Sequence, residues 1–319
     1  MGELRFEGRV ALVTGAGGGI GRGYAQALAA RGAKVVVNDI GIRPEYTAES
    51  TVALIRQAGG EAVADTHSIA KPDSAAEAVR TALETYGRLD ILINNAGVAA
   101  QGAFGEIKPE DYARTLDTHL MGQIWTSEAA WPHMVAASYG RIVQISSTAL
   151  FGMPGLWPYA VAKAGTLGLT KTLALEGARH GIRCNAVTPY GTSPGSDAGF
   201  SGEGSDIARI WQANYPTHLT AAGVVYLAHE SCTLSGECLV SGGGRVARVF
   251  IAETPGIVDK AMTPEMVRDN LEAAMDETGY QVIGSGLEGG AYQAFRIGVT
   301  DRFEPGQELK WTADADVVA

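Results

Sequence analysis

The chain of 319 residues has few cysteines, no surplus of positive charge and no long apolar run. Its three cysteines, Cys184, Cys232 and Cys238, are scattered and form no CxxC pair. That argues against a disulfide framework or a zinc site and points to a reducing compartment. Lys and Arg number 25 against 35 Asp and Glu, a net charge of −10. Nucleic-acid binding needs clustered cations to neutralise phosphates, so that class is set aside. No stretch reaches the roughly 18 apolar residues of a membrane span. The start "MGELRFEGRVALVTG" lacks the apolar core of a signal peptide. The expectation is a soluble, cytoplasmic protein with no metal site and no nucleic-acid or membrane partner.

What is present is rhythm. Hydrophobic residues make up 46% of the chain and charged ones only 19%, enough to build a sizeable core. Short apolar runs ("RVALVTG", "KVVVND", "EAVADT", "LDILINNAG") alternate with helical patterns closed by glycine. Later come a long helix at about 110–136, the strand "GRIVQISS", the helix beginning "YAVAK", and the strands "IRCNAVTP" and "ECLVSGGG". Alternation of this kind predicts an α/β fold: a doubly wound, parallel, seven-stranded sheet of the Rossmann type. Residues 1–244 are expected to form this domain, with a Gly/Ser-rich substrate loop at about 191–215. Residues 245–319 form a C-terminal extension suited to cover the substrate site or an interface.

"TGAGGGIG" lies between the first strand and first helix. Gly15, Gly18, Gly19, Ile20 and Gly21 would let backbone approach a pyrophosphate, which the helix N-terminus would then bind. Asp39 ends the second strand. A carboxylate there suits the adenosine ribose hydroxyls and repels a 2′-phosphate, which favours NAD over NADP. Tyr159 and Lys163 stand four apart on a helix and so share one face. A nearby ammonium favours the phenolate, which moves the tyrosine towards acid/base work near neutral pH.

"TGAGGGIG", "NNAG" (94–97), "YAVAK" (159–163) and the closing "VSGGG", in this order, resemble the short-chain dehydrogenase/reductase family over about residues 6–244. The resemblance implies hydride transfer between a nicotinamide and a small-molecule alcohol or ketone. Tyr159 would be the acid/base, Lys163 its modulator and ribose ligand, and a serine the donor to the substrate oxygen. Asn94, Ala96 and Gly97 would line the adenosine side, and Pro189, Gly191 and Thr192 the nicotinamide side. It also implies a homodimer or homotetramer packed through the long helix and the Tyr159 helix.

Three places depart from the family pattern. His119 in "HLMG" stands where many members carry an asparagine that holds a relay water; a histidine can bind water through either nitrogen. Asp65 and His67 both stand near the expected adenine edge. For the serine, the family's usual spacing to the tyrosine selects Ser146, whereas anchoring on the strand selects Ser147. Slipping a buried strand by one residue turns every side chain to the wrong face, so Ser147 is preferred.

Segments such as "THLMGQIW", "LALEGARHGIRCN" and "MTPEMVRDN" are further similar to the dehydrogenase units of D-bifunctional β-oxidation proteins and their bacterial relatives. This implies a 3-hydroxyacyl-CoA substrate. Phe151, Met153, Leu156, Trp157 and Phe200 are candidate pocket walls, and Arg245 and Arg248 candidate contacts for CoA phosphates. A hydroxysteroid, terpenoid or other cyclic alcohol is the alternative substrate. A non-catalytic dinucleotide sensor or scaffold is the alternative class.

Overall fold

The computed structural model describes residues 2–192 and 206–306; Phe200 and most of the expected substrate loop lie outside them. The chain divides into two units, Met1–Val249 and Phe250–Ala319. In the first, β1 (Val10–Thr14), β2 (Lys34–Asn38), β3 (Glu61–Asp65), β4 (Ile91–Asn94), β5 (Gly140–Ile145), β6 (Ile182–Pro189) and β7 (Cys238–Gly242) pair in parallel. The strand order is β3-β2-β1-β4-β5-β6-β7-β8, where β8 is Arg245–Val249. β1, β4 and β5 are buried along their whole length, as strands covered on both faces must be. One face packs on α1 (Gly19–Ala29), α2 (Ala48–Gln57) and the later helix α8 (Thr217–Ala228). The other packs on α3 (Pro72–Tyr86), α5 (Gly122–Ala136) and α6 (Trp157–Gly177).

The sheet has eight strands where seven were expected. β8 (Arg245–Val249) pairs antiparallel with β7, in the register Gly242↔Arg245 to Cys238↔Val249. The two-residue turn explains it: Gly243 (φ 58°) and Gly244 (φ 78°) both take left-handed conformations, as the tight hairpin turns that match strand twist require. The first unit therefore runs to Val249, five residues past the boundary read from the sequence.

The order reverses between β1 and β4, so a crevice opens at their carboxyl ends, where ligands of doubly wound sheets bind. The expected long helix is also interrupted. Between α4 (Pro109–Leu116) and α5 lies one π-helical turn, Asp117–Met121, a rare local widening that is frequent at functional sites. Part of the expected substrate loop is helical, as α7 (Asp206–Asn214).

The second unit has its own small framework. β9 (Ala252–Glu253) pairs with β10 (Gln281–Val282), alongside α9 (Pro264–Asp269), α10 (Leu271–Met275) and α11 (Gly286–Arg296). Glu288 is buried at the start of α11, where its carboxylate accepts from the N–H groups of Gly284 and Gly306.

Candidate active site

The glycine loop is held from beneath by a residue that the sequence reading passed over. Asn95 Nδ2 donates to the carbonyls of Thr14 (2.9 Å) and Gly15 (3.0 Å). The Thr14 hydroxyl in return accepts from the N–H groups of Asn95 and Ala96, both at 3.0 Å. A Cβ on Gly15 would lie 2.6 Å from Ala96 Cα, and one on Gly21 would overlap the Gly15 carbonyl. Asn94, one residue earlier, faces the other way. Its amide is buried among the Gln123 carbonyl, Ser127, Thr126 and Gln144, so only its backbone is left for a ligand.

Asp39 accepts from the N–H of Gly17 (3.0 Å) and of Gly41 (2.9 Å), which sets its carboxylate beside the loop. Arg22 donates to the Gly17 carbonyl, Ser50 (2.7 Å) and Thr51 (2.9 Å), and lies 5.4 Å from the Tyr46 ring. Gly18 has no room for a side chain, since a Cβ would lie 2.7 Å from that ring. α1 begins at Gly18–Gly19 with no capping side chain and no acidic residue in its first turn. Its first N–H groups and partial positive charge therefore remain for an anion. Cβ-free approach, a helix N-terminus and a carboxylate at the end of β2 fit a dinucleotide.

At the end of β3 the structure distinguishes the two candidates. The Asp65 carboxylate is buried and takes hydrogen bonds from Asn38 Nδ2 (2.6 Å) and Thr81 (2.8 Å), with His67 Nδ1 at 2.7 Å. Asp65 is thus turned inward, while the His67 side chain is half exposed. On the far side of the glycine loop, Gly191 follows Pro189 out of β6. A Cβ on Gly191 would lie 2.6 Å from Ile20 Cγ2, and Thr192 N–H donates to the Tyr215 carbonyl at 3.1 Å.

Tyr159 and Lys163 stand on one face of α6, with the Lys163 ammonium 5.4 Å from the Tyr159 ring centroid. Lys163 is buried, donates to the Ile145 carbonyl, and is pulled from 10.5 down to about 7 by desolvation. Burial raises the Tyr159 phenol, and a hydrogen bond with Ser147 works against that rise. Burial thus outweighs the expected lowering, and the phenol rests in its neutral, acid form. Lys163 meanwhile exchanges its proton near neutrality.

The serines part company. Ser146 is buried and its hydroxyl donates to the Lys163 carbonyl at 2.8 Å, which joins β5 to α6. Ser147 caps the short turn Thr148–Phe151, accepting from Ala149 N–H at 3.2 Å, and its hydroxyl reaches Tyr159.

His119 sits on the π-turn with its ring edge-to-face on Tyr159, centroids 4.8 Å apart. It is held well below its ordinary 6.5 by burial and by the Lys163 charge, so it stays neutral. A backbone hydrogen bond at Val98 engages the ring, while Nδ1 is buried without a partner among the described residues. A Cβ on Gly97 would overlap the His119 ring, so the glycine of "NNAG" makes room for the histidine.

Of the candidate walls, Phe151 is 68% exposed and Met153 is 40% exposed. Trp157 packs against Phe104 and Tyr112, with centroids at 5.5 and 5.2 Å. Arg248 is paired with Glu237 (2.7 Å) across the β7–β8 hairpin, and Arg245 is exposed beside it. Among the described residues there is no group of three or more His, Cys, Asp or Glu that could hold a metal ion. No described helix is long and apolar enough to cross a membrane.

A doubly wound sheet with a glycine-loop cradle, a tyrosine and lysine on one helix face and a serine in reach defines a dehydrogenase of the short-chain type. The short chain dehydrogenase family model matches residues 9–201, and the chain belongs to that family. Among particular relatives, peroxisomal multifunctional enzyme type 2 of Mus musculus is 40% identical over 284 residues, covering 86% of this chain and 37% of that protein. A short-chain type dehydrogenase/reductase of Mycobacterium tuberculosis is 37% identical over 292 residues, covering 86% of this chain and 97% of its own length. The solved full-length multifunctional enzyme type 2 of Drosophila melanogaster superposes with a TM-score of 0.77 at 33% identity, covering 93% of this chain and 50% of that one. The chain thus spans 37% of the mouse and 45% of the fly multifunctional enzyme sequences that it matches.

Proposed function

We propose that this chain is an NAD-dependent dehydrogenase that reversibly oxidises the secondary alcohol of a 3-hydroxyacyl-CoA to the ketone. The observation that carries the reading is the convergence of Ser147, Tyr159, Lys163 and His119 at the carboxyl ends of β4 and β5. The similarity to multifunctional enzymes, some of which are named hydratase-dehydrogenase-epimerase, supports the substrate class.

Asp39 supports NAD: its carboxylate, fixed by two backbone N–H groups, is placed to accept from ribose hydroxyls and to repel a 2′-phosphate. Gly15, Gly18, Gly19, Ile20 and Gly21 would hold the pyrophosphate, and Ala96, Gly97 and the Asn94 backbone the adenosine side. Pro189, Gly191 and Thr192 would flank the nicotinamide. When bound, the nicotinamide supplies the acceptor or donor of the hydride. Ser147 and Tyr159 together bind the substrate oxygen, and Ser147 steadies its developing charge. In the ketone-to-alcohol direction Tyr159 gives its phenolic proton to that oxygen. Lys163, drawn down to about 7 by burial, restores the proton and in the reverse direction favours the phenolate. His119, neutral and with Nδ1 open, would hold a water that links Lys163 to solvent.

Val161 and Leu175 stand exposed on α6, which supports a homodimer or homotetramer packed through α4–α5 and α6; light scattering tests it. Three buried free thiols support a reducing, cytoplasmic setting.

The test is NADH formation with a panel of 3-hydroxyacyl-CoAs set beside hydroxysteroids and simple cyclic alcohols. Turnover of the CoA panel, abolished in Tyr159→Phe, is expected. Turnover of steroids alone refutes the substrate, and no turnover of any alcohol refutes the chemistry.

A further inference from the structure

Trp211 and Tyr215 belong to no motif of the sequence, yet their rings form one cluster with that of Tyr190, which stands between Pro189 and Gly191. Centroids are 5.8 Å apart for Tyr190–Trp211, 5.6 Å for Tyr190–Tyr215 and 4.4 Å for Trp211–Tyr215. Trp211 lies on α7, and its indole Nε1 donates to the Gly191 carbonyl at 3.2 Å. One turn on, the Tyr215 carbonyl accepts from Thr192 N–H at 3.1 Å. Tyr190 is gripped from the opposite side. Its N–H donates to the Ser241 carbonyl at 2.9 Å, and its own carbonyl accepts from the Thr220 hydroxyl. The three residues after β6 are thus pinned between α7 on one side and β7 with α8 on the other.

This segment borders the glycine loop, because Gly191 has only bare backbone against Ile20. A dinucleotide laid along the loop and extending past Ile20 must meet the backbone of residues 190–192. Its adenosine half would be held at the other end, where Asp39 accepts from Gly17 N–H, a region that includes none of the three rings.

The geometry points to Trp211 as a positioning residue for the nicotinamide half of the cofactor. Its indole N–H and ring hold Gly191 and Thr192 against Ile20, so that α7 and the nicotinamide-facing backbone act as one piece. The inference rests on reading the crevice as a nicotinamide dinucleotide site. It adds that affinity for one half of that molecule is set by a side chain outside the crevice.

The experiment measures calorimetric dissociation constants of the full chain for NADH and for ADP-ribose, which lacks the nicotinamide. Trp211→Phe keeps an aromatic ring and removes the donor; Trp211→Ala removes both. Loss of one neutral hydrogen bond corresponds to an affinity change of about three- to tenfold, so NADH should weaken by that much in Trp211→Phe and further in Trp211→Ala. ADP-ribose should bind all three proteins alike. The KM for the dinucleotide should rise more than kcat falls. Unchanged NADH affinity in Trp211→Phe overturns the inference. So does a parallel weakening of NADH and ADP-ribose, which marks general damage to the fold. A wild-type chain that binds ADP-ribose but gains nothing from the nicotinamide overturns the cofactor reading itself.

Discussion

Replacing Lys163 by methionine should make the apo-protein more stable while it destroys activity. Lys163 is 2% exposed, and burial pulls it from 10.5 to about 7. At about 1.4 kcal/mol per pH unit, holding its charged form indoors costs the folded state on the order of 5 kcal/mol. Against this stands the hydrogen bond to the Ile145 carbonyl, whose loss leaves a buried acceptor at a cost of about 1–3 kcal/mol. Lys163→Met, similar in length and uncharged, should therefore gain about 2–4 kcal/mol at pH 6.5. The pH dependence carries a definite sign. Below pH 7 the folded chain bears the full penalty. Between about 7 and 10.5 it has shed a proton that the unfolded chain still holds, so wild-type stability rises with pH. Above 10.5 both states are neutral and the penalty is gone. Urea unfolding at a series of pH values measures the gap between the two proteins, which should narrow as pH rises. A variant less stable than wild type at pH 6.5, or a gap that does not move with pH, refutes the reasoning.

Other substitutions separate roles that lie side by side. Ser147→Ala should lower kcat by about 10²-fold or more, the scale of removing one oxyanion donor, whereas Ser146→Ala should keep kcat within a fewfold and lower the urea midpoint. Gly97→Ala should drive His119 off its seat; overpacking of this kind costs about 1–3 kcal/mol, read by unfolding, with kcat falling as well. His119→Phe should slow turnover, His119→Asn should restore part of it, and neither should move the apparent pKa values of the pH–rate profile, since His119 does not titrate near neutral pH. Asp39→Ala should raise the KM for NAD and bring NADP use closer to it; steady-state kinetics with both coenzymes decides it.

Much of the first unit is legible in the sequence, because parallel strands buried on both faces read as short unbroken apolar runs. β8 escaped because "RVARV" has its charges three apart and so lacks a strand's two-residue alternation, and it resembled the start of an appendage. The π-turn has no sequence signal of its own: "DTHLM" would serve equally well in an α-helix. The fit of Gly97 to His119 joins residues far apart in the chain, so no local pattern reveals it. Asn94 and Asn95 could have been told apart by strand alternation, since one ends β4 and the other has left it. The same parity separates Ser146, turned to α6, from Ser147 at the open end.

The β7–β8 hairpin bears on where this chain can be cut. Ending it at residue 244 would strip β7, buried from Cys238 to Gly242, of its outer neighbour. A row of unpaired N–H and C=O groups on an apolar strand is a template for self-association. A chain ended after Val249 keeps β8, whose charged and half-exposed surface discourages such stacking. Aggregation of the shorter fragment, beside a monodisperse longer one, would mean that five residues outside every catalytic motif keep the enzyme in solution.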